Sequence, residues 1–376
     1  MVAVGHGISP DTLAGPAGAP LLEDVTGAET ILPTMTDLTR REALGATAAA
    51  AFSAVSSSAD ALAAQPRPNA AATLPNLRRY LHYDVFTTTP HAGNQLAVFM
   101  EPQGLATEAM ASMTREMNYS ECTFVLPSEA PGTDFRLRIF GRAGNEMPFA
   151  GHPVIGSTFA IADEGVVPAG RREVVWGLGL GPTPVALDWE GDRLRFAWMT
   201  QQRPQFGPSL PPNAALASAI GVAPEQLVAQ LPVQEVSCGS AFFYAALTTR
   251  AAVDAVQMNG RELDALFKAA GVQRRGIFVF TTERGPDGAT VYSRMVGATG
   301  SEDPATGSAS GPLGCYLVKH GLVTPAAAGT IVSAQGVKMG RPSRIHIRIE
   351  TSGSDITRVQ VGGASVLVGD GRLRSA

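Results

Sequence analysis

The chain has 376 residues, of which 45% are hydrophobic, with 41 glycines, 27 prolines and a formal net charge of −4. This length can bury two sizeable cores, and the many turn-forming residues favour a loop-rich α/β protein over a helical bundle. The slightly acidic charge provides no basic stripe, which excludes nucleic acid as an expected partner.

The first 77 residues are predicted to be a leader rather than part of the fold. Arg40-Arg41 are followed by a small-residue apolar run, Ala43–Ala54, and an Ala-x-Ala sequence at 61–63. This order is typical of an export signal, and the paired arginines favour the twin-arginine route, with Met35 as its start. The sequence therefore predicts a periplasmic or secreted protein; if the run is instead an Ala-rich helix, the protein would be cytoplasmic.

The three cysteines, Cys122, Cys238 and Cys315, cannot all be paired with one another and are expected to be buried thiols. The chain contains neither a Cys-x-x-Cys nor a His-Glu-x-x-His sequence. The sequence therefore gives no support for a metal site.

Residues 138–165 and 294–321 share one pattern at a constant offset of 156 residues. Each stretch predicts a strand, a glycine-containing loop, the sequence Glu-x-Pro-x-x-Gly, a helix of about 12 residues and a terminating glycine. Apolar strands at 123–126 and 277–280 precede the two copies. The repeat predicts an α/β protein of the α+β type with two similar domains.

The domain boundaries follow from the repeat. Residues 78–200, completed by 359–376, are predicted to form the first domain, and residues 201–358 the second. The stretch Pro204–Gln230, rich in proline and then helical, is expected to connect them, and Val359–Val368 is expected to be a last strand.

Each glycine-rich loop leads into a helix N-terminus, where free N–H groups and the helix dipole would attract a carboxylate or phosphate. Two matched loops predict a shared anion site in a cleft, although the glycines could also serve only as tight turns. Gly177–Gly181 superficially matches a nucleotide-binding loop, but prolines follow it instead of a helix. This context argues against a dinucleotide site.

Glu121 follows the predicted helix Thr107–Met117 and stands at the head of an apolar strand. Partial burial there would raise the pKa of its carboxyl group toward neutrality, which suits proton transfer. The alternative is a solvated glutamate at a strand end, and the local sequence does not decide between the two.

The repeated loops supply further candidate residues. His152 stands at a predicted helix start, where the helix dipole favours a neutral imidazole. Asp303 lies in the matching loop, either as a helix cap or as a second acidic group. Gly307 and Ser308 can offer backbone N–H groups or a hydroxyl to an anionic substrate.

The chain from about Tyr80 to Val368 resembles the PhzF-like phenazine biosynthesis family, whose fold is shared with diaminopimelate epimerase. The resemblance is carried by five ordered motifs, at residues 84–98, 118–124, 147–153, 301–309 and 335–342. It implies two domains, each a curved mixed sheet wrapped around a central helix, with the site between them. It also implies an isomerase that needs neither metal nor organic cofactor, and a homodimer.

The resemblance implies roles for particular residues. Glu121 would be the general acid/base, assisted by His152 and Asp303, and backbone groups near Gly151 and Ser308 would hold a substrate carboxylate. The reaction implied is a proton shift on a small cyclic or conjugated carboxylate, as in the isomerisation of trans-2,3-dihydro-3-hydroxyanthranilate.

Two features depart from these relatives. Epimerases of this fold use a pair of thiols, whereas the corresponding base here is Glu121, with Cys122 merely adjacent. The loop Phe140–Glu146 lacks the usual threonine-proline opening. An amino-acid epimerase or racemase, or a periplasmic protein that binds a small carboxylate without turnover, are the alternatives.

Overall fold

The computed structural model describes residues 76–375, so the predicted export signal lies outside the described residues. Within this range the chain forms two lobes and contains 18 strands and six α-helices. No helix among these residues is long and apolar enough to cross a membrane. All three cysteines are buried and free, as expected for unpaired thiols, and Cys238 Sγ lies 3.8 Å from Cys315 Sγ.

The elements of the first lobe are β1 (Leu77–Val85), β2 (Asn94–Phe99), α1 (Thr107–Met117), β3 (Glu121–Pro127), β4 (Phe135–Gly141), β5 (Glu146–Met147), α2 (Gly151–Asp163), β6 (Glu173–Leu178), β7 (Gly181–Glu190) and β8 (Arg193–Gln201).

The elements of the second lobe are β9 (Gln205–Leu210), α3 (Ala214–Ile220), β10 (Val233–Ser237), β11 (Ala241–Ala246), α4 (Arg250–Ala255), α5 (Gly260–Ala269), β12 (Gly276–Thr281), β13 (Val291–Val296), β14 (Glu302–Asp303), α6 (Gly307–Lys319), β15 (Ile331–Gln335), β16 (Ser343–Ser352) and β17 (Asp355–Gly363). The last strand, β18 (Ser365–Arg374), returns to the first lobe and pairs with β1.

The two lobes have the same strand order. In the first lobe β1, β2, β3, β4, β6, β7 and β8 pair in sequence, with parallel pairs at β2–β3 and β4–β6. In the second lobe β10, β11, β12, β13, β15, β16 and β17 pair in the same way, with parallel pairs at β11–β12 and β13–β15. Antiparallel pairing of β17 with β8 joins the two sheets.

One helix lies at the centre of each sheet. The 13 residues of α2 include 11 buried ones, and the 13 residues of α6 include ten. A helix that is apolar on nearly every side must be enclosed by other elements, which explains why each sheet curves around one. Gly156 of α2 shows how close this contact is, because an added Cβ would lie 2.6 Å from the Leu96 side chain on β2.

Two local expectations were incomplete. The stretch expected to connect the lobes contains a strand, β9, that pairs with β10. Its Pro208 weakened the strand signal, and the structure tolerates this proline because β9 pairs on one side only. The expected last strand is two strands separated by Ala364, whose carbonyl accepts hydrogen bonds from the backbone N–H groups of Phe86 and Thr87 where the chain crosses between lobes.

Candidate active site

The N-termini of the two central helices meet between the lobes. Gly151 is the first residue of α2 and Gly307 the first of α6. A Cβ added to Gly151 would lie 2.5 Å from both Gly307 C and Ser308 N, so only glycine permits this approach. Neither helix has a side-chain cap at its N-terminus. The free N–H groups and dipoles of both helices therefore converge on one place, as an anion site requires.

Glu121 opens β3, where it pairs with Gly141 on β4 and Leu96 on β2. Its side chain is 17% exposed, and its Oε2 lies 3.4 Å from His152 Nε2. Both atoms are buried, and neither has a hydrogen-bond partner among residues 76–375. Two buried polar atoms that face each other unsatisfied are costly for the fold and typical of a functional site.

His152 is the second residue of α2 and is only 3% exposed. Burial lowers the pKa of its imidazole to about 3, so the ring is neutral at neutral pH. Its Nδ1 lies 3.2 Å from Asn94 Nδ2 at the start of β2. The neutral ring thus faces Glu121 without adding a charge to the buried site.

Asp303 reaches the same place from the second lobe and is well supplied with donors. Asn94 Nδ2 donates to its Oδ1 at 2.7 Å, Ser120 Oγ donates to the same atom at 3.4 Å, and Thr306 Oγ1 donates to Oδ2 at 2.6 Å. Gln335 Nε2 donates to the Asp303 carbonyl at 2.8 Å, which holds the backbone of this residue in position.

The two carboxyl groups have different environments. Burial, reinforced by the charge of Asp303, raises the pKa of Glu121 to about 8. Burial also raises the pKa of Asp303, but its three hydrogen bonds oppose this rise. Donors favour the ionised form of a carboxyl group, so the hydrogen bonds favour a negative charge on Asp303, whereas Glu121 Oε2 accepts no hydrogen bond among residues 76–375. The site therefore contains one carboxyl group supplied with donors and one without them, both close to the converging helix N-termini.

The structure thus brings together all six predicted positions: Glu121, Gly151, His152, Asp303, Gly307 and Ser308. Four further residues of the site were not predicted, although all of them lie within the family motifs: Asn94, Ser120, Thr306 and Gln335. Asn94 and Gln335 could have been recognised from the sequence, because each is a polar residue at one end of an apolar strand. Both are 1% exposed or less. Among the described residues, no group of three or more His, Cys, Asp or Glu side chains is arranged to hold a metal ion.

Comparison with known proteins first defines the class. A solved hydroxyproline epimerase from Agrobacterium vitis, 14% identical, shares the fold with a TM-score of 0.54, covering 80% of this chain and 93% of that one. The chain therefore has the two-lobed, epimerase-like α+β fold, which confirms the predicted fold class.

The family follows from the sequence. The family model described as phenazine biosynthesis-like protein (PhzC-PhzF) matches residues 83–371, and the chain belongs to this family. The trans-2,3-dihydro-3-hydroxyanthranilate isomerase of Pseudomonas aeruginosa is 32% identical over 303 residues, which are 79% of this chain and 99% of that protein.

A solved structure of a predicted epimerase, also from Pseudomonas aeruginosa, is 30% identical with a TM-score of 0.66, covering 80% of this chain and 100% of that one. These relatives are named as isomerases and epimerases, and the chain is an isomerase.

Proposed function

We propose that the protein catalyses a proton shift on a small cyclic or conjugated carboxylate, with Glu121 as the general acid/base. The observation that carries this proposal is the unsatisfied pair of Glu121 Oε2 and His152 Nε2, 3.4 Å apart beside the converging helix N-termini. A catalytic contact is often long before substrate binds, and the two atoms are close enough to share a proton when drawn together.

Substrate would bind through its carboxylate. The backbone N–H groups of Gly151, Gly307 and Ser308 lie where the two helix dipoles converge, which favours negative charge. An anion held there places the carbon skeleton beside Glu121. Positioning of this kind converts proton transfer into an intramolecular step.

Glu121 would deliver a proton to one carbon of the conjugated system and recover one from another. A pKa of about 8 suits both directions, because neither protonation state is strongly disfavoured near neutral pH. Neutral His152 would hold the Glu121 carboxyl group in position. Asp303 would remain ionised and stabilise positive charge that develops on the substrate.

Solvent deuterium exchange tests the proposal. The purified protein is incubated in D₂O with trans-2,3-dihydro-3-hydroxyanthranilate and with related cyclic carboxylates, and deuterium incorporation is followed by NMR. We expect exchange by the unaltered chain, its loss in Glu121→Gln with binding retained, and normal exchange in Glu116→Gln, a matched exposed glutamate five residues away.

Other outcomes contradict the proposal. Inversion at an α-carbon of an amino acid, without movement of a double bond, would indicate an epimerase. If the unaltered protein and both variants bound a carboxylate tightly but none of them catalysed exchange, the result would instead indicate a binding protein without turnover.

A further inference from the structure

We infer that the exposed side chain of Arg142 forms a second anion-binding subsite beside the segment that leads into Glu121, which selects substrates carrying a second acidic group besides the carboxylate held by the helix N-termini. This inference deepens the proposed function and rests on it. The substrate class is a small cyclic or conjugated acid with two anionic groups.

Arg142 lies next to the strand residue that pairs with Glu121, since it follows directly after Gly141 of β4. The backbone N–H of Arg142 donates to the Ser120 carbonyl at 3.0 Å, and its Nε donates to the Tyr119 carbonyl at 3.4 Å. The side chain therefore extends alongside the segment that leads into Glu121.

Most of the N–H donors of the Arg142 guanidinium have no partner among residues 76–375. The long contact to the Tyr119 carbonyl is its one side-chain hydrogen bond among residues 76–375, and it forms no ion pair within them. A guanidinium has five N–H donors in a fork that matches a carboxylate. The remaining donors of Arg142 are therefore available to a ligand.

The positive charge of Arg142 acts on both carboxyl groups of the site. Burial raises the pKa of both Glu121 and Asp303, and the charge of Arg142 opposes the rise in each. Arg142 forms no ion pair with either carboxyl group among residues 76–375, and the geometry that places it beside Glu121 is its contact with Tyr119 and Ser120. The free guanidinium would bind an anionic group of the substrate on this side of the site.

The turn that carries Arg142 has a counterpart in the second half of the repeat. In the first lobe the turn closes with Gly144 N donating to Gly141 O at 2.7 Å, and Gly144 has a φ of 83°. In the second lobe Gly300 N donates to Gly297 O at 3.0 Å, and Gly300 also has a φ of 83°. The position matching Arg142 is Ala298. Because the same turn forms with alanine, the turn itself does not require the arginine.

Binding measurements on the full chain test the inference with anthranilate, which has one carboxylate, and with 2-aminoterephthalate and 3-aminophthalate, which have two. The unaltered protein should bind at least one dicarboxylate about tenfold more tightly than anthranilate, since a well-placed guanidinium–carboxylate contact is strong. Arg142→Met should remove this preference while changing anthranilate affinity less than about twofold, and Arg142→Lys should restore part of it.

Arg115→Met is the matched control. Arg115 belongs to α1 and packs against Gly144 of the turn that carries Arg142, since a Cβ added to Gly144 would lie 2.3 Å from Arg115 Nη1. Arg115→Met therefore deletes an equal charge close to Arg142. We expect no change in the dicarboxylate preference. A similar loss of the dicarboxylate preference in both variants would indicate an effect of general surface charge and overturn the inference. The inference would also be overturned if the unaltered protein bound all three probes with equal affinity, or if it bound none of them detectably.

Failure of the inference can be told apart from failure of the proposed function. Deuterium exchange that depends on Glu121 but shows no Arg142-dependent preference would overturn the subsite alone. An Arg142-dependent preference without any exchange would overturn the proton-transfer proposal and leave the subsite standing.

Discussion

Asn94 of the first lobe donates a hydrogen bond of 2.7 Å to Asp303 of the second, across 209 residues of sequence. The same amide donates to the Ala305 carbonyl at 3.0 Å and lies 3.2 Å from His152 Nδ1. One small side chain thus links the acidic group of one lobe to the imidazole of the other. The geometry of the site therefore depends on how the lobes are docked, and not only on the loops that carry its residues.

Asn94→Ala should weaken the stabilisation of the Asp303 carboxylate. Loss of one partner from a buried, hydrogen-bonded group costs about 1–3 kcal/mol, so we expect stability to fall by about that much. We expect kcat to fall about 10- to 100-fold with a smaller change in KM, because the variant loosens the position of Asp303 and His152 but leaves both side chains in the site. Chemical denaturation and steady-state kinetics measure the two effects, and an unchanged kcat would contradict this role.

The pH dependence of stability should report Glu121. The pKa of its carboxyl is raised from 4.5 to about 8 in the folded state, so the folded state binds a proton more readily than the unfolded state. This contribution is fully present below pH 4.5 and is lost as the pH rises through about 8. Between these pH values the free energy of unfolding of the unaltered chain should fall by on the order of 1–3 kcal/mol because of Glu121, and this fall should be absent in Glu121→Gln. Denaturation curves of both proteins at several pH values would show parallel profiles if the prediction is wrong.

His152 should make the folded state less stable at acid pH. Burial lowers the pKa of its ring from 6.5 to about 3, so the unfolded state binds the proton more readily. The contribution is present above pH 6.5 and is lost as the pH falls toward 3. His152→Gln should be less sensitive to acid than the unaltered chain, which thermal unfolding between pH 4 and 7 would reveal.

Gly151→Ala tests the close approach of the helix N-termini. The new methyl would lie 2.5 Å from Gly307 C, so the lobes must separate locally. We expect at least about a hundredfold loss of kcat/KM and a stability cost of about 1–3 kcal/mol. Gly329→Ala is the control, because an added Cβ there meets nothing within 4 Å. Equal behaviour of the two variants would argue against a close approach.

Arg341 should hold the lobes together. Its Nη2 lies 2.5 Å from Asp84 Oδ1, and Asp84 is 1% exposed. Removal of one partner from a buried ion pair leaves an uncompensated charge, so Arg341→Met should cost about 3–5 kcal/mol. Arg358→Met breaks the exposed contact with Glu350 and should cost at most about 1 kcal/mol. Urea unfolding of both variants distinguishes these outcomes.

The sequence by itself determined the repeat and most of the local structure. The spacing of apolar residues and glycines predicted α1 at Thr107–Met117, and the same spacing repeated at an offset of 156 predicted two similar halves. These features follow from short-range rules, in which periodicity and turn chemistry act within a few residues. The same rules did not predict β9, because it contains a proline, and only the pairing of the sheet shows that this position lies at an edge where proline is tolerated.

Only the tertiary structure decided how the site is assembled. From its local sequence Glu121 was equally compatible with a solvated strand end, and its desolvation depends on both lobes closing around it. Gly151 meets Gly307, and Asn94 meets Asp303, through contacts between residues more than 150 positions apart. No local pattern specifies such contacts, since they arise from packing two folded sheets against each other. The elevated pKa of Glu121 is therefore a property of the closed fold, whereas the presence of a carboxylate at that strand end is a property of the sequence.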